Sequence, residues 1–463
     1  MFDKKHIHFI GVGGIGMSAL AQVLLQKGFK VSGSDLSKNS ITEKLKKKIR
    51  IYSSHNEKNI DSADIVVHST AIKQNNIELR SAKKKKIPIF SRAMMLAEVM
   101  RLKQSITIAG SHGKTTTTSL IASILEFSGL DPTILSGGII NSLKINAKLG
   151  KGEWIVAEAD ESDGSFTFLP STIAVINNID MEHVDFYKNE KHLNESFLKY
   201  AQKIPFYGFL ALGIDNKNVK KIEKKLSKKK IYTFGLSKEA NFSATKIKII
   251  KQKELFFTDF ELIENLKDKY LVKKISIPLL GSHNIQNVLG SICVARGLGI
   301  SYQQIKNALK NFQGVKRRFS IISKSKKNLI IDDYAHHPSE ISATIKTLKD
   351  ITSRKIISIF EPHRYSRLSS MFNDFIKSFY LSDKIFLLPV YSAGEKKKKI
   401  DSNYFCKKLI QKYPNKKIFF YINDETLFKQ LMQNIYEGDN IIFLGAGLSS
   451  KTAIKFSKTF KND

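Results

Sequence analysis

Short apolar runs, each closed by glycines or small polar residues and followed by a helical stretch, recur along this chain. His6 to Ile10 predicts a strand, Gly11 to Gly16 a turn, and Met17 to Lys27 a helix. Phe29 to Ser32 predicts the next strand, ending at Ser34-Asp35, and Ile65 to Val67 another, ending at Ser69-Thr70-Ala71. The same grammar restarts at Ser105 to Ala109, which enters Gly110-Ser111-His112-Gly113-Lys114-Thr115 and a helix from Thr116 to Phe127. Trp154 to Ala157 and Ile173 to Asn177 follow as strands. A third restart runs from Lys327 to Ile331, ending at Asp332-Asp333-Tyr334. Beyond it come strands at Lys355 to Phe360, Ile385 to Leu388 and Asn440 to Leu444, the last entering Gly445-Ala446-Gly447.

Strands alternating with helices predict parallel, helix-covered sheets. Three such series predict an α/β protein of three consecutive domains: 1–104 Rossmann-like, 105–314 like a P-loop ATPase, and 315–463 Rossmann-like. The 463 residues agree with about three domains at ~150 residues each. No short-period repeat suggests a solenoid. From Ala201 to Lys274 the pattern is weak and lysine-rich, and strands are expected there.

Composition narrows the class. Apolar residues make up 42% of the chain, enough for several cores. Cys293 and Cys406 are far apart and in no metal-binding spacing, which fits a reducing compartment. The apolar stretch at Ile7 to Ile10 is too short for an export signal, and no run approaches the ~18 residues that span a bilayer. A cytoplasmic protein with no membrane partner is expected. The net charge of +34 raises a nucleic-acid role. The excess lies in scattered lysine runs (Lys46 to Lys48, Lys83 to Lys86, Lys228 to Lys230, Lys396 to Lys399) without interleaved arginines and aromatics. Solvated lysine faces are the expectation, and no nucleic-acid partner.

Two anion cradles carry the chemistry. Gly11, Gly13, Gly14 and Gly16 fit G-x-G-x-x-G between strand and helix, where a diphosphate meets the helix N-terminus. Asp35 stands where a ribose hydroxyl would be held. Alone, this pattern suggests a nicotinamide or flavin dinucleotide, as in an oxidoreductase, a reading that leaves the second cradle unexplained. The second, Gly110 to Thr116, also lies between strand and helix. Its amides would cradle phosphates, Lys114 would neutralise them, and a threonine hydroxyl would reach Mg²⁺. It is shorter than the usual eight-residue loop, since Ile108 stands where the first glycine belongs. The acidic run Glu158 to Asp163 suits Mg²⁺, and His183 among acids at a strand end is a candidate metal ligand.

These motifs, with Gly281-Ser282-His283-Asn284, Asn287, Lys316-Arg317-Arg318 and Asp332 to Pro338, resemble the Mur ligase family across nearly the whole chain and in order. The resemblance is weakest between Ala201 and Lys274. The first glycine loop, the run Glu158 to Phe166, Glu361 to Arg367 and Val390 to Glu395 look most like the family's alanine-adding members. The resemblance implies ATP and Mg²⁺ as cofactors, UDP-N-acetylmuramate and L-alanine as substrates, and a monomer or weak homodimer.

It also recasts the first cradle as the seat of a UDP-sugar, lined by Ser69, Thr70 and Arg92. ATP would lie on Gly110, Ser111, His112, Gly113, Lys114, Thr115 and Thr116. His283, Asn284 and Asn287 would be at its adenine, and Arg318 and Asp333 would close over it. Thr115, Glu158 and His183 would hold the metal. The carboxylate of alanine needs a cationic seat, for which Arg364 and Arg367 are the candidates, with Tyr334, His336 and His363 nearby. His336 and His363 are candidate bases for the amine, and closure of the domains on binding is expected.

Overall fold

A computed structural model describes residues 5–37, 39–69, 71–182, 186–252, 255–266, 269–325 and 328–462. Its strands among the described residues form three sheets, of five, ten and six strands. Two compact units result, residues 280–283 with 315–463 and the remainder of the chain.

The first sheet contains β1 (His6–Ile10), β2 (Lys30–Ser34), β3 (Arg50–Tyr52), β4 (Ile65–His68) and β5 (Ile89–Ser91), in the order β3-β2-β1-β4-β5. Its pairings are parallel. β1 is buried from Ile7 to Ile10, His8 included, the pattern of a central parallel strand covered on both faces. The order reverses between β1 and β4, so the Gly11 to Gly16 turn and Ser69 emerge at the switch point, where such sheets bind ligands.

The second sheet is built from β6 (Gln104–Ala109), β7 (Thr133–Ile140), β8 (Ile145–Lys148), β9 (Trp154–Glu158), β10 (Ile173–Ile176), β11 (Phe209–Gly213), β12 (Ile231–Gly235), β13 (Phe242–Gln252), β14 (Leu255–Leu266) and β15 (Lys269–Ile277). Its order is β15-β14-β13-β12-β11-β10-β6-β9-β7-β8. β6 pairs in parallel with β9 on one side and β10 on the other, with Ile108 opposite Glu158 and Ala109 opposite Ile176. β13 to β15 form an antiparallel meander. The weakly patterned segment therefore holds the expected strands, and also a helix, Lys217–Glu223, with Asn216 as its cap.

The two sheets share a core that includes Val12, Leu20, Leu24, Leu135 and Ile155. The helix Ile15–Gln26 joins them further, since Gln26 Oε1 accepts from the amide of Leu149 beyond β8.

The third sheet belongs to the second unit: β16 (Ser320–Ser325), β17 (Asn328–Asp333), β18 (Ile356–Phe360), β19 (Lys384–Leu387), β20 (Lys417–Phe420) and β21 (Asn440–Leu444), ordered β16-β17-β21-β18-β19-β20. Only the edge pairing of β16 with β17 is antiparallel. Ile331, Phe360 and Leu387 fill one apolar layer, Ile330, Ile359 and Phe386 the other, as alternation along a two-sided sheet requires.

Candidate functional site

Most helices here begin on a side chain that accepts from their first amides: Asn76, Ser91, Asn189 and Asn216 do so. The two helices that follow the anion cradles do not. Gly14 precedes Ile15–Gln26 and Gly113 precedes Lys114–Phe127, neither with a side-chain cap. Their first amides are left to meet an anion at the positive end of the helix dipole.

The first turn is braced from below. Ser34 O accepts from the amides of Gly11 and Val12 at 2.8 and 3.2 Å, and Asp35 Oδ2 from that of Gly13 at 2.7 Å. Asp35 thus shapes the loop itself. Gly16 leaves room for Arg92, whose Nη2 lies 2.9 Å from Asp160 Oδ2, a carboxylate of the acidic run. A cavity of about 280 Å³ opens here, lined among others by Gly14, Gly16, Ser69, Arg92, Glu158 and Asp160. The glycine turn of the first sheet and the carboxylates after β9 therefore face one space. Thr70 and His183, both expected at the site, lie outside the described residues.

Around the second loop much of the support comes from residues that follow β10, a neighbour of β6. After β10, Asn178 accepts from the amides of Ser111, through its carbonyl, and His112, through Oδ1. Ser111 Oγ donates to Asp180 O, and the His112 ring lies 3.5 Å from Asp180 and 3.7 Å from Glu182. Gly113 has φ +80°, and a Cβ there would run into Asn287 Oδ1. Asn287, on the helix Ser282–Gly297, also accepts from Thr117 and donates to Asn284.

Lys114 Nζ donates to Gly110 O at 2.6 Å and pairs with both oxygens of Glu161, at 3.0 and 2.9 Å. Burial works against its charge, yet Glu161, Asp160 and Glu182 hold the ammonium above the usual lysine range. Burial likewise opposes the charge of Asp160, but Arg92 and Lys114 hold it down at about 2. Thr115 and Thr116 are buried on the first turn of the helix. Glu158 accepts from the amide of Gly137 at 2.7 Å. Ser136 and Gly137 of β7, which no motif marks, also line the cavity. Two adjacent glycines inside β7 were the available signal, since strand glycine marks a close approach. Asp160 and Glu161 belong to the acidic run, whose spacing does not show that Arg92 and Lys114 are their partners.

The carboxylates of Glu158 and Asp160 line the cavity together, and oxygen ligands of this kind suit Mg²⁺. The Gly137 amide fixes the carboxylate of Glu158 there.

In the second unit, His283, Arg318 and Asp333 fall with the third sheet. Asp333 accepts from the amides of Phe319 and Ala335, and burial raises its carboxyl to about 6. The guanidinium groups of Arg317 and Arg318 lie over the ring of Tyr334, at 4.8 and 5.2 Å. His336 Nδ1 meets Tyr334 O at 3.0 Å, its amide donates to Glu340, and its ring packs edge-on to His363 at 5.8 Å. His363 stacks on Tyr391 and receives Arg367 Nη1 at its Nδ1, 3.3 Å away. Burial, reinforced by Arg367, lowers His336 to about 3 and His363 to about 4. Arg364 has φ +70° and is held by its amide on Tyr391 O. Tyr334, His336, His363 and Arg367 are thus brought together, with Arg364 exposed beside them.

Three domain profiles match the chain in order: "Mur ligase family, catalytic domain" over residues 6–104, "Mur ligase middle domain" over 108–295, and "Mur ligase, glutamate ligase domain" over 317–447. The UDP-N-acetylmuramate–L-alanine ligase of Pelagibacter ubique is 45% identical over 451 residues, covering 96% of both chains. That of Rickettsia felis is 44% identical over 453 residues, covering 96% of this chain and 95% of the relative. The solved UDP-N-acetylmuramate-alanine ligase of Thermotoga maritima superposes with a TM-score of 0.83 at 26% identity, over 99% of each chain. A murein peptide ligase of Psychrobacter arcticus shares the fold, with a TM-score of 0.73 at 21% identity over 99% of each. With three domain profiles in succession and relatives this similar over almost its full length, the chain belongs to the Mur ligase family.

Proposed function

We propose that this chain joins L-alanine to the carboxylate of UDP-N-acetylmuramate, with cleavage of ATP to ADP and phosphate, as its curated relatives are named for doing. The observation that carries the reading is the shared cavity, in which Gly14, Gly16 and Arg92 of the first cradle face Glu158 and Asp160 beside Lys114. Two anion sites so close suit two phosphorylated substrates that react with each other.

The sugar nucleotide takes the first cradle, its diphosphate on the uncapped helix Ile15–Gln26 beside Gly11, Gly13, Ser69 and Arg92. The triphosphate takes Gly110 to Thr116, with Asn284 and Asn287 beside the loop. The lactyl carboxylate attacks the γ-phosphorus, a P–O bond to ADP breaks, and an acyl phosphate forms. Lys114 offsets charge gathering on the transferring group, so that catalysis is positioning and electrostatics. Mg²⁺ on Thr115 and Glu158 would supply further charge compensation there. The neutral amine of alanine then attacks the acyl carbon, phosphate leaves, and the amine proton passes to solvent or a base. Arg364 and Arg367 seat the alanine carboxylate, with Tyr334, His336 and His363 shaping the pocket. The buried Cys293 and Cys406 have no part in this.

We assign domains at 1–104, 105–314 and 315–463; three sheets of consecutive strands support these bounds. No described helix is long and apolar enough to cross a membrane, which accords with a reaction in the cytoplasm.

Phosphate release measured with ATP, UDP-N-acetylmuramate and a panel of amino acids tests the proposal. Release should require alanine or, less efficiently, glycine or serine, which differ by one small group. Release with a murein tripeptide instead of alanine, or none with any amino acid, would refute it.

A further inference from the structure

Behind the first glycine turn lies a buried carboxylate that the chemistry above leaves unused. Glu78, second residue of the helix Ile77–Lys84, is fully buried. Its Oε2 accepts from Ser34 Oγ at 2.6 Å and His55 Nδ1 at 2.9 Å, and its Oε1 from Asn59 Nδ2 at 2.6 Å. His8 Nε2 lies 3.8 Å away, while its Nδ1 bonds Ser32 Oγ. Burial alone would raise this carboxyl, but the donors outweigh it and hold it at about 2, so it is an anion at neutral pH.

A buried anion is costly, and one held by this many donors over-determines whatever it fixes. What it fixes is Ser34, the last residue of β2. The carbonyl of Ser34 takes the amides of Gly11 and Val12, and the next residue, Asp35, takes that of Gly13. The same carboxylate fixes His55, a half-buried ring just past β3 at the carboxyl edge of the sheet, where ligands bind. Among the described residues His55 Nε2 has no hydrogen-bond partner.

We propose that Glu78 is a positioning residue for the sugar nucleotide: its carboxylate sets Ser34 and His55, and through Ser34 sets the glycine turn so that the amides of the helix Ile15–Gln26 meet the diphosphate. This rests on the first cradle being the UDP-sugar site.

The test is calorimetric binding of UDP-N-acetylmuramate to the full chain without ATP, with steady-state kinetics beside it. Glu78→Gln keeps the shape but turns an NH₂ toward groups that are themselves donors. Its affinity for UDP-N-acetylmuramate should fall tenfold or more, with kcat and the KM for ATP within twofold of the wild type. Should Glu78→Gln fail to fold, Ser34→Ala decides, because it keeps the carbonyl and removes only the hydroxyl; threefold or greater weakening is expected. UDP-sugar affinity within twofold of wild type in the folded variant overturns the inference, as do equal losses in kcat and in both KM values, the mark of a merely structural group. Absence of binding to the wild-type chain would instead sink the reading of the first cradle.

Discussion

Lys114 Nζ and the Glu161 carboxylate form a buried pair at 2.9 and 3.0 Å, with Glu161 only 1% exposed. Removing one partner of such a pair leaves a buried charge, whereas removing both leaves a tolerable neutral site. Lys114→Met should therefore cost about 3 kcal/mol of stability, and Lys114→Met with Glu161→Gln should recover most of it. Neither should turn over, while both retain UDP-N-acetylmuramate binding. Urea melts and calorimetry check both; turnover by the double variant would remove Lys114 from the mechanism.

Gly113 combines a φ of +80° with Asn287 Oδ1 in the space that a Cβ would need. Gly113→Ala should weaken ATP binding at least tenfold, because Asn287 must give way and the loop with it. Binding of the sugar nucleotide, which uses other amides, should stay within twofold. A fluorescent ATP analogue and calorimetry separate the two.

His336 and His363 stand at about 3 and 4, below the ordinary histidine value, because burial and then nearby charge disfavour their protonated forms. Both are neutral from pH 5 to 8, and as bases they are too weak to deprotonate an ammonium group efficiently. The profile of kcat/KM for alanine should show no limb near pH 6.5 that His363→Ala removes. The sign for stability follows: below pH 6.5 the unfolded chain takes up protons that the folded unit refuses until about pH 4. The second unit should thus lose stability as pH falls through that window, and His363→Phe should flatten the loss in pH-dependent thermal melts.

Arg364 holds φ +70° in a region where side chains are strained, at the start of the short helix Tyr365–Ser370. Backbone strain of this kind costs about 1 kcal/mol or more and persists where function requires the side chain. Arg364→Gly should raise stability by about 1 kcal/mol and raise the KM for alanine tenfold or more. A variant with unchanged alanine KM would free Arg364 from the amino-acid seat.

What the sequence by itself determined is local. The strand ends, the two glycine turns and the helices behind them follow from periodicity and from where only glycine can stand, and both depend on neighbours a few residues away. The helices Ile15–Gln26 and Lys114–Phe127 begin within two residues of the reading from the motifs. Between Ala201 and Lys274 that rule weakened, since β13 to β15 form an antiparallel meander with exposed lysines along it rather than buried apolar runs.

Only the tertiary structure decided which loops face one another. Glu161, after β9, and Asn177, after β10, both reach the Gly110 to Thr117 segment because β6 lies between those strands, an order written in hydrogen bonds between strands and not in spacing. The pairing of Arg92 with Asp160 spans 68 residues, and that of Glu78 with Ser34 spans 44. Partners at such separations are chosen by the packing of whole layers: the sequence shows that carboxylates are present, and strand order decides which donor each one meets.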